Sequence, residues 1–289
     1  MFARTAIFVA LTATTLSFIG VLVASLLRQK LFAPSLLQLA TGFITNFFDT
    51  LGIGSFATTT AIFKLKKMVS DELFPGTLNV GHTLPTIFQA FIYIAVIEVD
   101  PTTLVSLISS AVVGAWFGAG IVSKLSRRAV QRAMGLALLT AATAMLAKQL
   151  NFFPAGGNAL ELAGWRLVIG IVMNFLFGAV STVGIGFYAP CMTLVSLLGM
   201  NPAASFPIMM GSSAFLMPVA SSRFVLGHVY CVPAAIGLTI GGILGVPLAA
   251  FVVKSLPLEV MRWMVIVVVV YTAVLMLRSA LYERLPNFR

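Results

Sequence analysis

Apolar stretches of about 20 residues recur along almost the whole chain, and short loops that carry most of the charges separate them. A helix of about that length crosses the hydrocarbon core of a bilayer. The pattern therefore predicts an all-α polytopic membrane protein. Seven stretches each fit one full crossing: 5–27, 77–97, 102–122, 129–150, 202–222, 230–253 and 259–281.

Two further apolar stretches, 35–63 and 165–199, are too long for one perpendicular crossing. Each is interrupted near its middle, at Gly52-Ile53-Gly54 and at Gly184-Ile185-Gly186. Glycine inside a helix costs about 1 kcal/mol relative to alanine, so paired glycines predict a break. Each stretch is then either a re-entrant hairpin of two half-helices or a kinked full crossing.

The distribution of basic residues distinguishes these two alternatives. Two hairpins with the N-terminus outside place 13 of the 18 Lys and Arg residues on the cytoplasmic side, whereas two kinked crossings with the N-terminus inside place 10 there. Cytoplasmic loops are enriched in basic residues. The charges therefore favour hairpins, an outside N-terminus and a cytoplasmic C-terminus. Each half then has three full crossings, and this odd number inverts the second half relative to the first.

The two halves have the same order of segments and align at several motifs. When the glycine breaks are superimposed, Gly81-His82-Thr83 matches Gly211-Ser212-Ser213, and the basic turn at Lys124 matches that at Lys254. We predict an N-terminal transmembrane helix at 1–34, a first repeat at 35–150 and a second repeat at 165–281. A connecting loop at 151–164 joins the repeats, and a cytoplasmic tail at 282–289 follows them.

The composition limits the classes of function. Hydrophobic residues make up 60% of the chain and charged residues 9%, which leaves no room for a sizeable soluble domain. The net charge of +10 lies in loops between apolar stretches, so it indicates membrane orientation and not nucleic-acid binding. Cys191 and Cys231 form no metal-binding spacing. We predict no cofactor, no metal and no enzymatic activity.

Several motifs resemble those of the TauE/SafE sulfite exporter family, also called the four-toluene-sulfonate uptake permease family. They are the two glycine breaks, Pro190, Gly211-Ser212-Ser213, Gly227-His228-Val229-Tyr230, Gly241-Gly242-x-x-Gly245, and the basic turns at Lys124 and Lys254. The likeness extends from about residue 35 to 281. It implies a multi-pass protein of the bacterial inner membrane. It also implies transport of sulfite, sulfonates or related small anions, coupled to a proton or ion gradient.

Inverted repeats with discontinuous helices place substrate where the breaks meet, and half-helix N-termini suit anions. The candidate substrate-binding residues are Gly52, Gly54, Ser55, Thr58, Asn79, His82, Ser181, Thr182, Gly184, Gly186, Ser212 and Ser213. Alternatively, the small residues among them only allow close helix packing.

Two ionisable residues are candidates for proton coupling. Asp49 precedes the first break, where an intramembrane acid costs about 2.5–3.5 kcal/mol on insertion scales and should face a cavity or a partner. It either carries a proton or caps the second half-helix. His82 either carries a proton and binds the anion or is a neutral histidine satisfied by a neighbouring helix. For Asn46 and Asn174, which precede the breaks, we expect a structural role.

The leading hypothesis is a secondary anion transporter in which the two repeats rock about a site between the hairpins. Its partners would be a small anionic substrate, a coupling proton or ion, and the lipid bilayer. The faces Gly114-x-x-x-Gly118 and Gly241-Gly242-x-x-Gly245 would serve the repeat interface or a homodimer. The alternatives are a membrane-embedded enzyme or assembly factor in sulfur or metal metabolism, and an anion channel. Arg223 is expected to be an orientation charge or part of an anion funnel.

Overall fold

The computed structural model describes residues 2–27, 33–152, 157–182, 187–252 and 258–282. In these ranges the regular elements are helices, which confirms the all-α prediction. The long ones are α1 (Phe2–Leu26), α2 (Leu36–Thr50), α3 (Ser55–Lys66), α4 (Phe74–Val96), α5 (Pro101–Val122), α6 (Arg127–Gln149), α7 (Gly164–Ser181), α8 (Tyr188–Leu197), α9 (Ser205–Leu226), α10 (Val232–Pro247) and α11 (Leu258–Tyr282).

Among the described residues, six helices are long and apolar enough to cross a membrane: α1, α5, α6, α7, α9 and α10. This confirms a polytopic membrane protein. Helix α4 is also 23 residues long, but it is not among these six and most of its side chains are buried. Its position at the centre of the bundle explains how it can carry Asn79, His82 and Gln89 without exposing them to lipid.

The first broken stretch reverses direction. Helix α2 runs parallel to α4, because Asn46 contacts His82 near the middle of α4, and Thr50 contacts Tyr93 near its end. Helix α3 then runs back along α4, because its first turns lie beside His82 and its last turn places Phe63 against Phe74. We call α2 and α3 the first hairpin.

The second broken stretch also reverses. The ring of Phe187, just before α8, packs edge-on against Phe177 in α7, with ring centroids 6.3 Å apart. Further along α8, Cys191 contacts Asn174, one turn earlier in α7. Residues later in α8 therefore contact residues earlier in α7, so the two helices are antiparallel. We call α7 and α8 the second hairpin.

Each hairpin packs on a glycine helix from the other half of the chain. Helix α2 lies along α10, where a Cβ at Gly241 would overlap the backbone of Leu39. Helix α7 lies along α5, where a Cβ at Gly118 would overlap the backbone of Ala179. The glycine faces were expected at the interface between the repeats or in a homodimer. In the structure they lie between helices of the two halves. A homodimer remains a prediction.

Helices α4 and α9 cross the centre of the bundle in opposite directions. Thr83 Oγ1 lies 2.9 Å from Ser221 Oγ, whereas Ile94, at the other end of α4, lies near Gly211 at the start of α9. The pair is the one that the sequence alignment matches, since it superimposes Gly81-His82-Thr83 on Gly211-Ser212-Ser213. Matched helices that are antiparallel are what an inverted pair of repeats requires.

A proline inside α4 explains one further polar contact. Pro85 has no backbone N–H, so the carbonyl of Gly81 lacks its usual helical partner. Thr239 of α10 supplies the missing donor, with its hydroxyl 2.9 Å from that carbonyl oxygen. The proline is therefore tolerated at a buried position, and it attaches α4 to α10.

The ends of the helices form two faces that differ in charge. The basic face carries Lys64, Lys66, Lys67, Lys124 and Arg128 and also Asp71 and Glu72, whereas the acidic face carries Glu98, Asp100 and Glu161 and also Arg4 and Arg166. Helix α1 begins at the acidic face, where Arg4 donates to the carbonyl of Ala95. Helix α11 ends at the basic face, where Arg128 donates to the carbonyl of Ala280.

Candidate functional site

A small cavity of about 30 Å³ lies where the two hairpin tips meet α4 and α9. A water molecule needs about 10–15 Å³ on this scale, so the cavity has room for roughly two. Its lining comes from both hairpins and both central helices: Asp49, Gly54, Ser55, Phe56, Thr86, Ser181, Phe187, Ser213, Leu216 and Met217. An anion larger than about two water molecules would fit only if the surrounding helices moved apart.

The cavity brings together part of the predicted site. Asp49, Gly54, Ser55, Ser181 and Ser213 line it. The other described candidates lie outside its lining, and they are Gly52, Thr58, Asn79, His82, Thr182 and Ser212. The candidates Gly184 and Gly186 lie outside the described residues.

The tip of the first hairpin requires its glycines. Gly52 and Gly54 have φ angles of 85° and 90°, a region that residues with a side chain rarely adopt. The chain therefore turns sharply and α3 begins at Ser55, directly at the cavity. The first N–H groups of a helix have no partner within the helix and carry a partial positive charge, so this end of α3 favours an anion.

The carboxylate of Asp49 is fully engaged at this tip. Its Oδ1 accepts a hydrogen bond from the backbone N–H of Ser55 at 2.6 Å, and its Oδ2 accepts one from Gln89 Nε2 at 3.0 Å. The same Gln89 amide nitrogen donates to Thr50 Oγ1 at 2.9 Å. Asp49 therefore caps the second half-helix, as one of the two interpretations held, while it also borders the cavity.

His82 joins both arms of the first hairpin to α4. Its Nδ1 lies 3.0 Å from Asn46 Oδ1 and its Nε2 lies 3.0 Å from Thr59 Oγ1. Because Asn46 Nδ2 already donates to the carbonyl of Gly42, Asn46 Oδ1 must accept. His82 Nδ1 therefore carries a hydrogen, and in a neutral ring Nε2 accepts the hydrogen of the Thr59 hydroxyl. These contacts match the neutral, hydrogen-bonded alternative for His82, and they also fit the structural role expected for Asn46.

Ser212, which the sequence alignment matches with His82, makes different contacts in the second half. Ser212 is fully buried and its hydroxyl has no hydrogen-bond partner among the described residues. Asn174 instead donates to the carbonyl of Gly170, and its Oδ1 lies 4.0 Å from the thiol sulfur of Cys191. The first hairpin thus has a three-helix hydrogen-bond link that the described residues of the second hairpin do not form at the matched position.

Asn79 also reaches the second hairpin. Its Nδ2 donates to the carbonyl of Pro75 at 2.8 Å and lies 3.4 Å from the carbonyl oxygen of Thr182. Its Oδ1 is buried, and no described residue forms a hydrogen bond with it. Asn79 therefore contacts the end of α7 and does not line the cavity.

Thr86 and Gln89 are not among the site residues predicted from the sequence. Thr86 lines the cavity, and Gln89 holds the carboxylate of Asp49. Their spacing was available as a signal, because His82, Thr86, Gln89 and Tyr93 recur every three or four residues along one face of α4. A polar stripe on an otherwise apolar helix indicates a buried polar environment.

The two broken stretches and the apolar helices define a multi-pass membrane protein with a small cavity between its hairpins. A family model described as "Sulfite exporter TauE/SafE" matches residues 36–276, which is most of the chain. The chain therefore belongs to the TauE/SafE sulfite exporter family, and the resemblance inferred from its motifs is confirmed. Comparisons with curated proteins and with solved structures found no match.

Proposed function

We propose that this protein is a secondary transporter that binds sulfite, sulfonates or related small sulfur oxyanions in the cavity between the hairpin tips. The observation that carries the proposal is the convergence of both tips on one buried cavity. Hydroxyl groups from Ser55, Ser181 and Ser213 border it, together with the N-terminal end of α3. Hydroxyls and helix N-termini supply the hydrogen-bond donors that oxyanions require.

Two sets of helices are the moving bodies in this proposal. The first hairpin set comprises α2, α3, α4 and α10, in which α2 and α4 both pack along α10. The second comprises α5, α7, α8 and α9, in which α7 and α9 both pack along α5, and the main contact between the sets is that of α4 with α9. Each set therefore contains helices from both halves, and the sets meet where α4 crosses α9. Rocking at this crossing would expose the cavity alternately to each side, with the two sets acting as inverted equivalents.

Protonation of Asp49 would couple proton and anion movement. An ionised Asp49 holds the N–H of Ser55 and repels an anion in the cavity. A proton on Asp49 would remove that repulsion and weaken its hold on the N–H, which could then donate to a substrate oxygen. The proton and the anion would therefore bind together and cross in the same direction.

The charge of the two faces supports an orientation in the bacterial inner membrane. Basic residues concentrate at the face where α11 ends, and the positive-inside rule assigns such a face to the cytoplasm. The start of α1 would then lie outside, at the acidic face.

Flux into proteoliposomes tests the proposed function. Labelled sulfite, an organic sulfonate and a carboxylate would be offered with and without a pH gradient that is acidic outside. The proposal expects saturable uptake of the sulfur anions that the gradient accelerates. Absence of anion flux under every condition would overturn transport, and discrete single-channel conductance would establish the channel alternative instead.

A further inference from the structure

We propose that a groove on the outer surface of the bundle binds an anionic phospholipid, with Arg223 holding the headgroup phosphate. The groove lies between α1, α5 and α9 and has a volume of about 430 Å³. Its lining includes Phe18 of α1, Val113 and Trp116 of α5, and Pro218 and Ser222 of α9. This site is separate from the cavity between the hairpins and does not depend on the proposed transport.

The groove extends from the middle of the membrane towards the basic face. Its lining residues come from the middle of α1 and α5 and from the last two turns of α9, and α9 ends at the basic face. Its outer rim is exposed and apolar, since Val113 is 49% and Trp116 is 51% exposed. In a bilayer, such a rim faces acyl chains.

Arg223 lies at the end of the groove nearest the basic face. Its guanidinium carbon lies 3.8 Å from the centroid of the Trp116 ring, a cation–π contact. Gly120, one turn after Trp116 in α5, leaves the space that the guanidinium occupies, because a Cβ there would lie 2.7 Å from Arg223 Nη1. The ring of Trp116 and the space at Gly120 therefore form a binding surface, which we call the Trp116 shelf, that fixes the position of the Arg223 guanidinium.

The cation on this shelf is not neutralised by the described part of the chain. Arg223 Nε is buried without an acceptor, and the salt bridge found among the described residues joins Lys64 to Asp71 instead. A charged group at the end of a membrane-spanning helix is stabilised by a partner of opposite charge. Arg223 therefore presents a charge without a counter-ion beside an apolar groove.

A phospholipid supplies both of the complementary features. Its acyl chain fits a groove that opens to lipid, and its phosphate lies near the membrane surface where Arg223 ends the groove. Guanidinium groups bind phosphate in a two-pronged geometry. The exposed Lys124 lies on the same face and adds positive charge, which favours an anionic headgroup over a zwitterionic one.

Quenching of Trp116 by brominated lipid tests this site. Trp165→Phe and Trp263→Phe would leave Trp116 as the sole tryptophan. In reconstituted protein, brominated phosphatidylglycerol should compete for the groove about fivefold better than brominated phosphatidylcholine, the preference that one basic residue provides at an anionic surface. Arg223→Gln should abolish this preference. Equal quenching by the two lipids in the protein that retains Arg223 would overturn the proposal.

A matched control separates the groove from simple charge attraction. Trp165 also lies beside an arginine, with Arg166 5.6 Å from its ring centroid, but this pair is on the exposed start of α7 and lines none of the groove. A protein with Trp165 as its sole tryptophan should show a clearly smaller preference. An equal preference at both tryptophans, or no loss of preference when Val113→Phe fills the groove, would contradict a groove-bound lipid.

Discussion

Asp49 Oδ2 lies 3.0 Å from Gln89 Nε2, and this hydrogen bond attaches the tip of the first hairpin to the central helix α4. The other oxygen of Asp49 caps α3 through the N–H of Ser55. One carboxylate thus fixes the break, the start of the second half-helix and the wall of the cavity. Protonation of Asp49 would therefore alter the contacts at the break, at the start of α3 and at the cavity wall.

Substitution of Asp49 separates capping from proton coupling. Asn caps a helix about as well as Asp, so Asp49→Asn should lower the free energy of unfolding by less than about 1 kcal/mol, whereas Asp49→Ala should lower it by about 1–3 kcal/mol. Both variants should lose the acceleration of sulfite flux by a pH gradient. Thermal unfolding in detergent and flux at two gradients measure these effects. Gradient-driven flux that persists in Asp49→Asn would exclude coupling through this residue.

His82 and Ser212 should respond oppositely to substitution. His82→Ser leaves Asn46 Oδ1 and the Thr59 hydroxyl without their partner and opens space, so we expect a loss of about 2–4 kcal/mol in unfolding free energy. Ser212→Ala removes a buried hydroxyl that has no partner, so its effect should be within about 1 kcal/mol or stabilising.

Sulfite flux, measured per folded protein, then shows whether His82 carries a proton or only links the helices. If His82 only links the helices, His82→Ser retains the dependence of flux on the pH gradient. A variant with unchanged stability and no gradient response would instead make His82 the proton carrier.

The glycine helices should tolerate no side chain where they face a hairpin. Gly118→Ala places a Cβ against the backbone of Ala179, and we expect about 1–3 kcal/mol of destabilisation. Gly20→Ala on α1 is the matched control, because a Cβ there meets nothing within 4 Å and alanine is the better helix former. Thermal unfolding of the two variants measures the difference. Equal melting temperatures would contradict the packing of α5 against α7.

Cross-links test whether the two hairpin sets move against each other. Thr83→Cys with Ser221→Cys, in a chain with Cys191→Ala and Cys231→Ala, would join α4 to α9 across the crossing. We expect oxidation to stop sulfite flux. Gel mobility after the assay would establish that sulfite had not cleaved the disulfide.

A cross-link inside one set is the control for that experiment. Thr77→Cys can pair with the native Cys231, whose backbone N–H donates to Thr77 Oγ1, and this bond joins α4 to α10 within the first hairpin set. Flux should survive it. If both cross-links abolished flux, or neither did, the proposed division into two sets would be wrong.

The sequence predicted the membrane class and the helices well because bilayer thickness and glycine breaks constrain local pattern strongly. All seven predicted crossings correspond to helices, and both broken stretches contain two helices separated at the glycines. The family resemblance also followed from local motifs, and the family match confirmed it.

The partners of individual polar residues were less predictable, because they depend on which helices meet. Asp49 and Gln89 are 40 positions apart, and only the parallel packing of α2 against α4 brings them together. Likewise, no local pattern reveals that His82 is saturated by Asn46 and Thr59, two residues on separate arms of a hairpin. The sequence therefore predicted the general location of the candidate site, between the two breaks. It did not predict the hydrogen-bond partners of the individual residues.

Equilibrium binding of labelled sulfite to the purified protein tests most directly whether the cavity between the hairpin tips is the substrate site. Ser181→Ala with Ser213→Ala removes two hydroxyl groups from the cavity wall, and Ser109→Ala removes one from the exposed surface of α5. We expect saturable binding to the wild type, unchanged binding to Ser109→Ala, and roughly a hundredfold or greater weakening in the double variant, since each of the two lost hydrogen bonds to a charged group is worth about 1.5–3 kcal/mol. Binding of the double variant that equals the wild type would contradict a site in this cavity.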